Sequence, residues 1–134
     1  MEDHGLNIDE TLVCEGDFFY LESGYDLALK LLALTNPPTA LVAASDEMAI
    51  GAIKATRKLG FSVPGDFAVI GFDDIKMASI SEPPLTTMAQ PKEDLAREST
   101  EMLLKIIKGE TLKSNHVFLQ DELIIRNSCG AGLV

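Results

Sequence analysis

At 134 residues, with 46% apolar and 24% charged side chains, the chain has the length of one ordinary globular domain and no compositional mark of disorder. Its net charge of −10, from 21 acidic against 11 basic residues, repels a phosphate backbone and argues against direct nucleic-acid binding by these residues. Two isolated cysteines, Cys14 and Cys129, an acidic start (Met-Glu-Asp-His-Gly) and the lack of any run of about 18 apolar residues argue against a disulfide scaffold, a signal peptide and a membrane span, so a cytoplasmic protein is expected.

In chain order, Thr11-Leu-Val-Cys-Glu15 reads as a short buried strand ended by Gly16-Asp17. Over 22–35, Tyr25, Ala28, Leu29 and Leu32 recur at the spacing that shares one helix face, and Asn36-Pro37-Pro38 stops that helix. Residues 39–44 then read as a fully buried strand. Ser45-Asp46-Glu47 supplies a cap and negative charge to a helix over about 46–59, with Lys54, Arg57 and Lys58 near its end and Gly60 as terminator. After the turn Val63-Pro64-Gly65-Asp66, the segment 67–72 predicts another buried strand, closed by Asp73-Asp74.

The expected order is therefore β-α-β-α-β, an α/β fold with parallel strands and right-handed crossovers. Phe18, Ser45 and Asp73 each stand just past the carboxyl end of an expected strand, where open parallel sheets bind their ligands. Beyond residue 75 the pattern changes to a polar loop, Pro83-Pro84, an extended piece at 85–89, a helix over 92–108 and an extended stretch at 116–126 that suggests one or two strands. Gly130 to Val134 reads as a tail.

Phe18 is suited to stack on a sugar face or a planar base, with core packing as its ordinary alternative. The Asp73-Asp74 pair is suited to accept ligand hydroxyl or N–H groups or to hold Mg²⁺; a turn with Asp74 as a cap is the plainer reading. Ser45 either caps the helix or hydrogen-bonds a ligand. Only His4 and His116 are present, neither in a triad context, and metal-site spacings, G-x-G-x-x-G and phosphate-loop lysine motifs are absent, so neither an enzyme nor a cofactor is expected.

Four segments occur together and in order: Pro38-Thr-Ala-Leu-Val-Ala-Ala-Ser-Asp-Glu-Met-Ala-Ile-Gly-Ala52, Leu59-Gly-Phe-Ser-Val-Pro-Gly-Asp66, Val69-Ile-Gly-Phe-Asp-Asp74 and Pro83-Pro-Leu-Thr-Thr-Met-Ala-Gln-Pro91. Over about residues 6–128 they closely resemble the lactose- and galactose-repressor (LacI/GalR) family of bacterial transcription regulators. The resemblance implies the C-terminal lobe of a two-lobed, periplasmic-binding-protein-like core that binds a sugar or sugar phosphate between its lobes and controls an N-terminal helix-turn-helix not found in this chain. Residues 1–91 would form that lobe, 92–112 a crossover helix packing on the other lobe, and 113–134 closing strands and tail.

The resemblance matches Phe18 with an aromatic that stacks on the effector and Asp73 with an acid that hydrogen-bonds it. Ser45 falls where many members place an effector-binding Asn, and Gln90 matches an occasional effector contact. The family's pocket arginine has no counterpart here. Ala49, Ile50, Ile53 and Ile80 correspond to the family's dimer contact, and DNA would be reached only through the headpiece.

The apolar face of the 92–108 helix (Leu95, Met102, Leu103, Ile106 and Ile107) is worth roughly 7–15 kcal/mol at ~1.5–3 kcal/mol per buried side chain. On its own the chain is therefore expected to dock this helix on its own lobe or to swap it with a neighbour in an oligomer. Two alternatives stand beside this reading: a phospho-receiver domain, with Asp73 or Asp74 as phosphoacceptor and Lys92 nearby, and a sugar-binding transport protein.

Overall fold

The computed structural model describes residues 5, 8–16 and 19–132. Four strands form one sheet in the order β1 (Ala40–Val42), β2 (Ala68–Phe72), β3 (Thr86–Ala89), β4 (Glu122–Ile124). The pairs β1–β2 and β2–β3 are parallel, and β3–β4 is antiparallel. The helices are α1 (Leu21–Leu32), α2 (Asp46–Lys58), the short α3 (Lys76–Ile80) and α4 (Lys92–Ile107). The α/β class and parallel pairing follow the sequence reading.

The strand expected at 11–15 is not present. Asp9 instead caps a 3-10 turn at Glu10–Leu12, its carboxylate accepting from the Thr11 N–H at 2.9 Å and the Thr11 hydroxyl at 2.6 Å. A short acidic side chain that bonds its own following backbone draws the chain away from a ladder. The three parallel strands are therefore β1, β2 and β3, and β1 lies at the sheet's edge. It is not fully buried as expected: Val42 is 79% exposed, on a strand with one neighbour among the described residues.

Helix α2 owes its limits to local chemistry. Ser45 at its amino end accepts from the Met48 N–H, Asp46 and Glu47 meet the positive end of the helix dipole, and Arg57 and Lys58 meet the negative end. One face of α2 covers β2 and builds the main core of Ala43, Ala49, Ile53, Phe67, Val69, Ala78 and Leu85. Its other face meets α1 through Ala28, Ala52 and Ala55.

The α1 stripe that is buried runs Gly24, Ala28, Leu31, with Tyr25, Leu29 and Leu32 on its flanks. That shift from the expected face has a steric cause. Gly24 sits against the Met48 carbonyl and Gly51 against the Leu21 carbonyl and Tyr25 amide, so the two backbones touch where neither residue has a side chain.

After β4 the chain returns to the sheet. The Ser128 carbonyl accepts from the Val69 N–H (2.8 Å), and its hydroxyl accepts from Thr86 N–H (2.8 Å) while donating to the Val69 carbonyl (2.6 Å). One fully buried serine thus fills the gap in the ladder where β2 has begun and β3 has not. Helix α4 differs from the others in having no buried residue; Leu95, Leu103, Ile106 and Ile107 are all exposed. Docking of the apolar face of this helix on its own lobe, one of the two expected outcomes, is not what the structure has, since none of the residues of α4 is buried.

Candidate functional site

The carboxyl end of β2 opens into a turn, Asp73 to Ile75, whose first two residues both have left-handed backbones (φ 111° and 48°). Such conformations in non-glycine residues cost about 1–3 kcal/mol each and persist only where their surroundings impose them. Here each amide of the turn is held. Asp73 N–H donates to the Met88 carbonyl (2.9 Å), Asp74 N–H to the Thr87 hydroxyl (3.4 Å) and Ile75 N–H to Asp46 Oδ2 (2.8 Å).

Around this turn lies a polar recess of about 440 Å³, lined by Asp73, Asp74, Gln90, Lys92, Glu93 and Asp94 among others. Asp74 is held by Arg126, whose Nη2 donates to its Oδ1 at 2.7 Å while Nη1 donates to the Leu85 carbonyl at 2.8 Å. The Lys92 ammonium donates to the Asp73 carbonyl, which leaves the Asp73 carboxylate as an acceptor facing a recess of mainly acidic character. Chemically, the recess is suited to a ligand rich in hydroxyl or N–H donors.

The structure thus brings two of the expected effector residues, Asp73 and Gln90, to one opening. Ser45 is elsewhere: it is buried, and its hydroxyl accepts from Met48 N–H (3.2 Å) and donates to the Phe19 carbonyl (3.3 Å). Of its two sequence readings, the cap is the one on view. Phe18 lies outside the described residues. The receiver arrangement is not assembled, since Asp74 is engaged by Arg126 and Lys92 meets a backbone carbonyl. Among the described residues no three His, Cys, Asp or Glu side chains gather as a metal site.

Residues that sequence reasoning passed over are Asp46, Thr87 and Arg126. Asp46 reads as an ordinary first-turn acid, yet it is fully buried. Arg126 lies 52 residues from the Asp74 it binds, beyond the reach of any local pattern.

The interface candidates divide as well. Ala49 is fully enclosed in the lobe's own core and has no surface for a partner, a correction that follows from α2 packing that face on β2. Ile50, Ile53 and Ile80 line a separate groove of about 410 Å³ between α2 and α3, with Arg57, Met77 and Glu82. Ile80 is 71% exposed there.

Comparison with known proteins gives a consistent picture. The profile described as "Periplasmic binding protein-like domain" matches residues 1–129. The HTH-type transcriptional repressor CytR of Escherichia coli is 39% identical over 127 residues, which is 95% of this chain and 37% of that protein. Among solved structures, the transcriptional regulator CelR in complex with cellobiose superposes with a TM-score of 0.87 at 38% identity, over 95% of this chain and 38% of that one. The Lac repressor dimer bound to operator and the anti-inducer ONPF gives 0.75 at 34% identity, over 82% and 38%. The chain thus spans little more than a third of the length of these relatives. Among its described residues no helix is long and apolar enough to cross a membrane.

Proposed function

This chain belongs to the lactose- and galactose-repressor family, within its periplasmic-binding-protein-like domain, and from that premise we propose that it is the effector-sensing lobe of a transcriptional regulator. The observation that carries the reading is the recess at the carboxyl end of β2, where Asp73 and Gln90 meet. The Asp73 carboxylate accepts hydrogen bonds from effector hydroxyls, Gln90 both donates and accepts, and Phe18 stacks on the ligand's apolar face. Ser45 serves this site at one remove, by fixing the start of α2.

A sugar is the ligand class favoured by this chemistry, and CelR, seen with cellobiose, is a precedent in a relative. The acidic lining favours a neutral sugar over a sugar phosphate, whose charge would meet Asp73, Glu93 and Asp94. No covalent step is needed. An effector bridging this lobe and a second one stabilises one lobe arrangement by its differential affinity, and that choice sets DNA binding elsewhere in the protein.

Residues 1–91 act as the lobe, 92–112 as a crossover whose bare apolar face covers the second lobe, and 113–134 as the closing segment. The groove lined by Ile50, Ile53 and Ile80 meets a second copy, for which the Lac repressor dimer is a precedent.

Isothermal titration of the protein carrying this chain against a panel of neutral sugars that includes cellobiose, with Asp73→Ala as the control, tests the reading. A sugar that binds the parent and loses at least tenfold in affinity to Asp73→Ala supports it. Undiminished affinity in that variant overturns the role of Asp73.

A further inference from the structure

One buried carboxylate belongs neither to the core nor to the recess. Asp46, the first residue of α2, has no exposed surface, and its two oxygens face different partners, one on the sheet and one in the turn after β2. Oδ1 accepts from the Thr87 hydroxyl on β3 at 2.6 Å, and Oδ2 accepts from the Ile75 amide at 2.8 Å. Thr87 in turn accepts from the Asp74 amide. Two of the three amide bonds that hold the left-handed turn therefore depend on Asp46, one directly and one through Thr87.

The approach to Asp46 is also shaped for it. Gly71 on β2 lies so close to Oδ1 that a side-chain carbon there would overlap the oxygen. A hydroxyl donor, a backbone donor and a missing side chain converge on one carboxylate, and a nonpolar or amide side chain does not satisfy all three. An asparagine could keep one oxygen for the Ile75 amide only by turning its N–H₂ toward Thr87, whose hydroxyl would then lose the acceptor it donates to.

We propose that Asp46 is the positioning residue of the effector site: acting through Thr87 and the Ile75 amide, it holds the Asp73–Ile75 turn so that the Asp73 carboxylate faces the recess. Because Asp46 opens α2, the same bonds tie the turn to the helix that lines the Ile50–Ile80 groove. The role rests on the reading of that recess as an effector site; the bonds themselves are independent of it.

Amide hydrogen exchange and three-bond HN–Hα couplings, measured by NMR on the 134-residue chain, test the proposal without any ligand. In Thr87→Val the Asp74 and Ile75 amides are expected to exchange at least tenfold faster, and the Asp73 and Asp74 couplings to move toward averaged values. The Ala43 amide, which bonds the Ile70 carbonyl on β2, and the Val69 amide, which bonds the Ser128 carbonyl, should keep their protection. Thr87→Ser should restore the parent pattern, and Asp46→Asn should loosen the turn with the sheet intact.

Unchanged turn amides in both Thr87→Val and Asp46→Asn would overturn the proposal. So would a uniform acceleration through the sheet, which marks a residue that stabilises the whole lobe and positions nothing. Because no effector enters the measurement, failure to find a sugar would count against the proposed function alone.

Discussion

The contact between α1 and α2 sets two effects of known size against each other at Gly51. Replacing a helix-interior glycine with alanine favours the helix by about 1 kcal/mol, because glycine loses more backbone freedom on folding. At this position, however, the new methyl would meet the Leu21 carbonyl and the Tyr25 amide, both backbone atoms that no rotamer change can move aside. Relief requires the helices to separate. A gap of 0.5–1 Å forfeits roughly a quarter to a half of the dispersion energy at each contact, here those of Ala28, Ala52 and Ala55.

Overpacking of this kind typically costs about 1–3 kcal/mol, and rigid backbone neighbours put this site toward the upper end, so contact should win over propensity by up to about 2 kcal/mol. Urea unfolding followed by far-UV circular dichroism measures the difference through its midpoint. Gly24→Ala, facing the Met48 carbonyl, should behave alike, and the double variant should lose less than the sum, since one separation relieves both clashes. A Gly51→Ala chain more stable than its parent by about 1 kcal/mol, the propensity value, would refute the close approach of the two backbones.

Two further outcomes follow from the surface. Asp66 accepts from the Ser62 hydroxyl at 2.6 Å and the Ser62 N–H at 2.7 Å, and these bonds hold its carboxyl below the ordinary 3.8. A carboxyl lowered in the folded state adds stability that is complete above the unfolded value and is lost as pH falls through the folded one. Carboxyl-detected NMR titration should find the Asp66 midpoint below 3.8 and should find it raised in Ser62→Ala. At the α2–α3 groove, Ile80→Asp would place a charge on a surface proposed to meet its own copy. Light scattering should show a dimer in the parent and a smaller species in the variant, and an unchanged mass would remove Ile80 from the interface.

What could be read from the sequence was what neighbouring residues decide among themselves. The limits of α2 came out within a residue because Ser45, the acidic first turn and Gly60 all act locally. The 92–108 helix and the 67–72 strand were legible for the same reason. Residues 11–15 failed because a short apolar run has no fixed register, and the Asp9 bond to Thr11 competes with any pairing. Ser128 was hidden in what read as a closing tail because its ladder partners lie on β2 and β3.

The recess was legible only in part. Asp73 and Gln90 were found through motif resemblance, whereas Asp46 bonds residues 29 and 41 positions away and looks, in one dimension, like a solvated first-turn acid. Lys92 entered only through the receiver alternative. Long-range hydrogen bonds leave no periodic trace, and the residues that hold this turn are linked by little else.

Strand β1 leaves its outer row of N–H and C=O groups without a neighbouring strand among the described residues. Thr39-Ala-Leu-Val-Ala-Ala44 itself carries neither lysine nor proline to deter a stranger, and beside it lies only a recess that Leu12 and Cys14 line together with Leu41, Val42 and Ala43. Handled alone at high concentration, the lobe will therefore be prone to self-templated precipitation along this seam. A lysine in place of Val42 is the simplest way to keep it in solution.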